Sequence, residues 1–312
     1  MLLYRGLTHE AKKEHQAAID DFRAAEQLGN RDATGVLLQT TFSLSENKEG
    51  NEPASALLIA LPPMLNLSPE ARKRIGIQTL KSYSPRISYP LSALFQRERA
   101  KVASASTSPA PIDCDRLAAH PWDPFQVGAG VLFDELNGND ALAKCTAALE
   151  SSPGEPRFLL QRARAHAKLA DNAKAANKND EARLHYAAEQ EDLKAAIAKG
   201  YPIAVNNLAT LYEDSQGVEK NPAKAADLNF EFLNRVARCC MASAIRALLV
   251  EKDRHDASTV ARVATALLAW AADLGNAEAE AVLAEEGRAG HLPPPAFPRG
   301  KASVKDLPPW LR

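Results

Sequence analysis

Leu3, Leu7 and Ala11 recur every fourth residue near the start of the chain, and Ala18, Phe22 and Ala25 continue that rhythm after His15. Apolar residues spaced by three and four share one side of a helix with 3.6 residues per turn, so the pattern predicts two helices, 2–13 and 15–28. Gly29-Asn30 stops the second, because glycine accepts the left-handed backbone that ends a helix, and 32–44 is predicted as the start of a third.

A longer pattern lies over this period. Gly29 is followed at +4 and +8 by Ala33 and Leu37, and the same spacing recurs as Gly50, Ala54, Leu58, as Gly200, Ala204, Leu208 and as Gly275, Ala279, Leu283. With 15 Gly, 58 Ala and 38 Leu in 312 residues, chance predicts about a third of one occurrence, so the pattern is a repeat. A degenerate copy is read at Cys240, Ala244, Leu248, which spaces the last three starts by 40 and 35 residues, the period of helix-pair arrays. The chemistry of the spacing is simple. Glycine turns the chain, a small alanine one turn on admits the next helix closely, and leucine fills the gap one turn later. A single pair cannot bury its apolar face, so neighbouring pairs are expected to stack into a right-handed α-solenoid.

Composition supports an all-α fold, since alanine favours helices and is depleted in sheets. A chain of 312 residues suits about two domains or one elongated array. The divisions expected are a helical region at 1–100, a Ser/Ala/Pro linker at 101–112 (KVASASTSPAPI), a solenoid at 113–287 and an extended Pro-rich tail at 288–312. The net charge of −1 gives no global field toward nucleic acid or an anionic membrane. Apolar runs such as 54–64 are too short and too interrupted by proline to span a bilayer. Met1–Gly6 runs directly into charged helical sequence, so no export leader is read there; the expectation is a cytoplasmic protein, or a periplasmic one if the N-terminus is incomplete.

The search for chemistry excludes more than it finds. No nucleophile elbow, phosphate loop or zinc-protease motif is present, so no catalytic residue, metal ligand or cofactor is expected. His9 and His15, six apart, do not share a helix face, and His120, His166, His185, His255 and His291 are scattered without ligand spacing. Glu181, Glu189, Glu191 and Asp192, with Arg183 and Lys194 among them, read as a solvated helix face. Between 70 and 101, eight basic side chains (Arg72, Lys73, Arg74, Lys81, Arg86, Arg97, Arg99, Lys101) interleave with Tyr83, Tyr89 and Phe95. That segment reads as a solvated amphipathic surface, with nucleic-acid binding as the alternative. Asn206, Asn207, Thr210 and Glu213 fall outside the Ala204/Leu208/Tyr212 packing register and are the candidate binding residues of a concave face. Cys114 and Cys145 either staple the entrance of the array as a disulfide or remain two independent thiols, whereas Cys239 and Cys240, pointing about 100° apart on a helix, are expected to stay free.

Ala204-x-x-x-Leu208-x-x-x-Tyr212-x-x-x-x-Gly217-Val218, followed by Asn221-Pro222-Ala223-Lys224-Ala225, resembles the Sel-one-like repeat, a longer-looped relative of the tetratricopeptide repeat. Ala266–Leu274 with Trp270-Ala271-Ala272, then Gly275–Leu283, resembles the end of one such repeat and the opening of another. Cys114–Pro121 (CDRLAAHP), Asp123-Pro124, Cys145, Ala148-Leu149 and Pro153 are similar to a segment that precedes these arrays in bacterial proteins. Residues 1–44 are similar to a tetratricopeptide hairpin. Departures from the pattern are Asn221 in place of the usual Asp, the lack of Gly-Val after the copy at Cys240, and an apparent insertion at 173–180. The resemblance, over 113–287, implies a bacterial, non-enzymatic scaffold or adaptor that holds a protein or peptide on its concave face. Its association with peptidase-bearing proteins implies the rival, an accessory region of a hydrolase system.

Overall fold

A computed structural model describes residues 1–28, 30, 33, 36, 58, 84–103, 110–121, 123–250 and 256–292. Among the described residues there are eleven helices and no strand, so the fold is all-α. They are α1 (Leu2–Ala11), α2 (His15–Gln27), α3 (Ser84–Ala103), α4 (Asp113–Ala118), α5 (Gly138–Ser151) and α6 (Pro156–Ala175). The rest are α7 (Asn179–Ala198), α8 (Pro202–Asp214), α9 (Pro222–Val250), α10 (Ala257–Asp273) and α11 (Ala277–Arg288). None of those described is long and apolar enough to cross a membrane. The chain packs as two compact units, Met1–Glu98 with Val236–Arg312, and Arg99–Arg235. Gly29, Leu37, Gly50, Ala54, the basic residues 72–81 and the tail from 293 lie outside the described residues.

In the first unit, α2 turns Ala18, Phe22 and Ala25 inward as its periodicity predicts, and all three are buried. The face of α1 differs from the expected Leu3/Leu7/Ala11 stripe. Leu7 is 42% exposed and Ala11 lies in solvent, while Gly6 is buried. The reason is steric: a Cβ at Gly6 would meet the Phe22 ring at 2.5 Å, so the large aromatic takes the recess that only glycine provides. Arg5 reaches Asp21 from the same side through two hydrogen bonds of 2.6 and 2.5 Å.

The expected helix junction at Cys240 is a second correction. α9 continues unbroken for 29 residues, and Cys240, Ala244 and Leu248 are buried positions within it. No glycine or proline interrupts 223–250, so nothing there adopts the left-handed turn that ends a helix. At the true junction, Gly275 has φ +89°. The next residue, Asn276, caps α11 by accepting from Ala279 N at 2.9 Å and donates its amide to the Ala237 and Arg238 carbonyls of α9 at 3.0 and 3.1 Å.

The second unit is built from α4 to α8 with the end of α3 (99–103) and the start of α9 (222–235). α6 and α7 run antiparallel as a hairpin, α5 packs on α6, and α8 packs on α7. Gly138, the first residue of α5, sits where a Cβ would lie 2.9 Å from Leu169 Cγ, so its lack of a side chain sets the approach of α5 to α6. After Gly200, at φ +82°, Ala204 is fully buried and Leu208 8% exposed, and after Gly275 the pair Ala279 and Leu283 shows the same burial. The two described Gly–Ala–Leu copies therefore share one local structure. Asn221 caps α9 in place of Asp, accepting from Lys224 N at 3.0 Å.

Between α4 and α5 the described residues are irregular and are organised by one side chain. Arg164 of α6, only 3% exposed, donates from Nη1 to the Ala118 and Ala119 carbonyls and from Nη2 to the Val131 carbonyl, each at 2.7 Å. Val131 N closes the loop on Ala119 O at 2.8 Å. Arg164→Lys keeps the charge and loses the planar fork, leaving at least one buried carbonyl without a donor; it is expected to lower unfolding stability by about 2 to 4 kcal/mol in urea titrations.

Candidate functional site

The sulfurs of Cys114 and Cys145 are 2.04 Å apart, a disulfide that joins α4 to α5 across 31 residues. Both cysteines are fully buried, and Cys114 lines a groove of about 530 Å³ between the start of α4, the outer face of α5 and the first turn of α6. Ile112, Ala147, Ala148 and Phe158 give it an apolar lining, and Asp113, Lys144, Glu155 and Arg157 are its charged residues.

Each element is positioned by local chemistry. α4 begins where Asp115 accepts from the Ile112 amide at 3.1 Å, and α5 where Asn137 accepts from Asp140 N at 3.3 Å. Gly154 at φ +74° turns the chain into Pro156, whose fixed φ suits the first turn of α6. Asp115 is fully buried and also accepts from Gln161 Nε2 at 3.0 Å, with Arg157 Nε 3.3 Å away as its counter-charge. Arg157 in turn lies over the Phe158 ring at 4.5 Å. At the rim, Lys144 and Arg116 lie 3.3 and 2.8 Å from the two oxygens of Asp113, and the Lys144 ammonium, first among these partners, holds that carboxyl below its ordinary range. The groove thus offers apolar surface beside charges of both signs, together with the hydroxyl residues Ser151 and Ser152.

The four α8 candidates are not brought together as one exposed face. Asn206 is buried and donates to Asn229 Oδ1 of α9 at 2.9 Å, a correction to its reading as a concave-face residue. The helical register turns it toward α9, and a buried amide takes a partner there. Asn207 is half-buried; Thr210 is exposed and gives its hydroxyl to the Asn206 carbonyl at 3.3 Å; Glu213 is exposed. Tyr212 is half-buried and accepts from Lys224 Nζ at 2.7 Å. Of the basic segment, Arg99 is exposed, donates to Pro124 O at 2.9 Å and lies over the Phe125 ring. The expectation that Cys239 and Cys240 stay free is corrected, since the structure pairs them: as chain neighbours their Cα atoms are 3.7 Å apart.

The carboxylates read as a solvated face divide in two. Glu181 and Glu191 are exposed as expected, whereas Glu189 and Asp192 are buried. Asp192 accepts two hydrogen bonds from Arg162 at 2.7 and 2.6 Å, and this partner and its charge raise the guanidinium pKa. Glu189 Oε2 has no hydrogen-bond partner, and burial, reinforced by the charge of Asp171, pushes its pKa well above the ordinary glutamate value. Asp171 itself accepts from the Tyr186 hydroxyl at 2.6 Å. Asp123 is raised by burial to about 6, although the Tyr201 hydroxyl donates to it at 2.6 Å. The scattered histidines hide one pair: His166 and His185 meet with Nδ1 atoms 3.0 Å apart. They lie on either side of the 176–178 turn of the hairpin, and no spacing in the sequence singles the pair out. Among the described residues no group of three or more His, Cys, Asp or Glu converges as a metal site.

Two measurements follow from this geometry. Replacing Cys114 and Cys145 together with Ser should cost about 3 to 4 kcal/mol in the chain-entropy account of a closed loop of this length, read by denaturant unfolding against the oxidised wild type. For Glu189, the folded chain holds the proton more tightly than the unfolded chain. Its burial therefore costs nothing below the ordinary glutamate range and destabilises progressively as pH rises from there through the raised native value. Glu189→Gln is expected to match the wild type near pH 4 and to be more stable at pH 8, with a flatter stability–pH curve. Compared with known protein families and with curated proteins, the sequence matches none.

Proposed function

We propose that this protein is a non-enzymatic interaction scaffold or adaptor whose helix pairs are of the Sel-one-like, tetratricopeptide-like kind, arranged as a right-handed solenoid, and that it holds a protein or peptide segment. The observation that carries the reading is the groove beside the Cys114–Cys145 bond. An apolar lining supplies contact area, nearby charges supply register and selectivity, and the covalent bond between two of the groove's helices keeps the surface preorganised. The matching structure of the Gly200 and Gly275 copies supports the repeat assignment. The half-buried Asn207 and the exposed Thr210 and Glu213 remain candidates for a second contact on α8, without Asn206.

Ala147 is exposed on the groove wall, so a bulky charge there fills the groove without entering the core. Ala147→Arg is expected to weaken a partner captured with the full chain by at least tenfold while leaving the melting temperature within about a degree, because surface changes of this kind move stability by less than about 0.5 kcal/mol. The triple change Asn207→Ala, Thr210→Ala, Glu213→Ala is expected to give a smaller loss. Capture unaffected by Ala147→Arg and abolished by the triple change would move the interface to α8. Turnover of peptide or ester substrates by the purified chain would overturn the scaffold reading.

A further inference from the structure

The α6–α7 hairpin carries a feature that peptide binding does not use. His166 on α6 and His185 on α7 are both half-buried, and their Nδ1 atoms approach to 3.0 Å. The ring centroids are 5.3 Å apart and the planes are tilted by 39°, so the nitrogens meet without the rings lying parallel. One helical turn before His166, Arg162 is held by the two oxygens of Asp192, which compensates the nearest cation. Neutral imidazole is the form that ligates.

We infer that His166 and His185 form a two-histidine site for a borderline first-row divalent ion, with Cu²⁺ the preferred occupant and Zn²⁺ the weaker one. Two nitrogens bound to one ion at about 2.0 to 2.1 Å are separated by about 2.8 Å at a right angle and about 3.3 Å at a tetrahedral angle. The observed 3.0 Å lies between these values, so an ion replaces the shared proton with little movement of either helix. Without the ion, one Nδ1 carries a hydrogen and the other accepts it. On binding, that hydrogen transfers through solvent to Nε2 of its own ring, both rings stay neutral, two nitrogen–metal bonds form, two waters leave the hydrated ion and no net proton is released. Nitrogen donors select against Ca²⁺ and Mg²⁺, which take oxygen, and the order of divalent affinities places Cu²⁺ above Zn²⁺. With no third side-chain ligand converging among the described residues, water completes the coordination sphere.

The test uses the full chain and the metal salt alone. Equilibrium dialysis against CuCl₂ is expected to give one ion bound in the micromolar range, with His166→Ala and His185→Ala each weakening it at least tenfold. The chain has seven histidines, so localisation to this pair carries the result. Independently of any variant, electron paramagnetic resonance of the wild type labelled with ¹⁵N-histidine is expected to show two equatorial imidazole nitrogens on the copper. The inference is overturned by Cu²⁺ binding that persists undiminished in the double variant, by a spectrum with a single nitrogen, or by no binding at micromolar metal.

Discussion

The buried guanidinium of Arg164 is the constraint on which the second unit depends. The described residues between α4 and α5 have no regular structure, and their backbone carbonyls need donors once they leave water. Arg164 supplies three bonds from one rigid fork, to Ala118, Ala119 and Val131, and so ties the start and the interior of the segment to α6. A charge buried this deeply needs acceptors in nearly every direction, and three carbonyl dipoles provide them. Asp123, in the same segment, lies close enough for its charge to interact with that of Arg164, and it receives the Tyr201 hydroxyl. Its raised pKa records how little water is left around this network.

The disulfide acts beside this clamp rather than in place of it. Arg164 fixes the segment to α6, and Cys114–Cys145 fixes α4 to α5, so α4, α5 and α6 become a single support for the groove. Buried polar chemistry extends toward its floor through Asp115, which takes the Ile112 amide, the Gln161 amide and the charge of Arg157. Each member limits the freedom of its neighbour, and the apolar lining is therefore presented in one arrangement. A recognition surface gains affinity from being preformed, because little ordering entropy remains to be lost on binding.

The α6–α7 hairpin shows the opposite economy, with polar groups buried at a cost to stability. Arg162 and Asp192 satisfy one another, and Tyr186 satisfies Asp171, but Glu189 Oε2 is left without a partner. In the structure α7 buries Glu189 together with Ala182, Tyr186, Leu193 and Ala196, in conflict with its chemistry. Such local conflicts mark places where a structure serves something other than stability, and the paired histidines lie one turn away on the same two helices.

The sequence by itself determined the all-helical class, the inward face of α2, and the turns at Gly200 and Gly275 with their alanine and leucine followers. These features depend on residues within two turns of one another, where spacing and backbone preference suffice. The same local logic misread α1, since the recess at Gly6 exists for Phe22 of another helix. It also misread α9, where an apolar spacing was present without the glycine that ends a helix. Whether Asn206 faces solvent or Asn229, whether Glu189 is wet or dry, and that His166 meets His185 were decided only by the tertiary structure. The reason is geometric: helical spacing fixes which side of its own helix a residue occupies, and burial, partners and pKa depend on what a distant part of the chain places against that side.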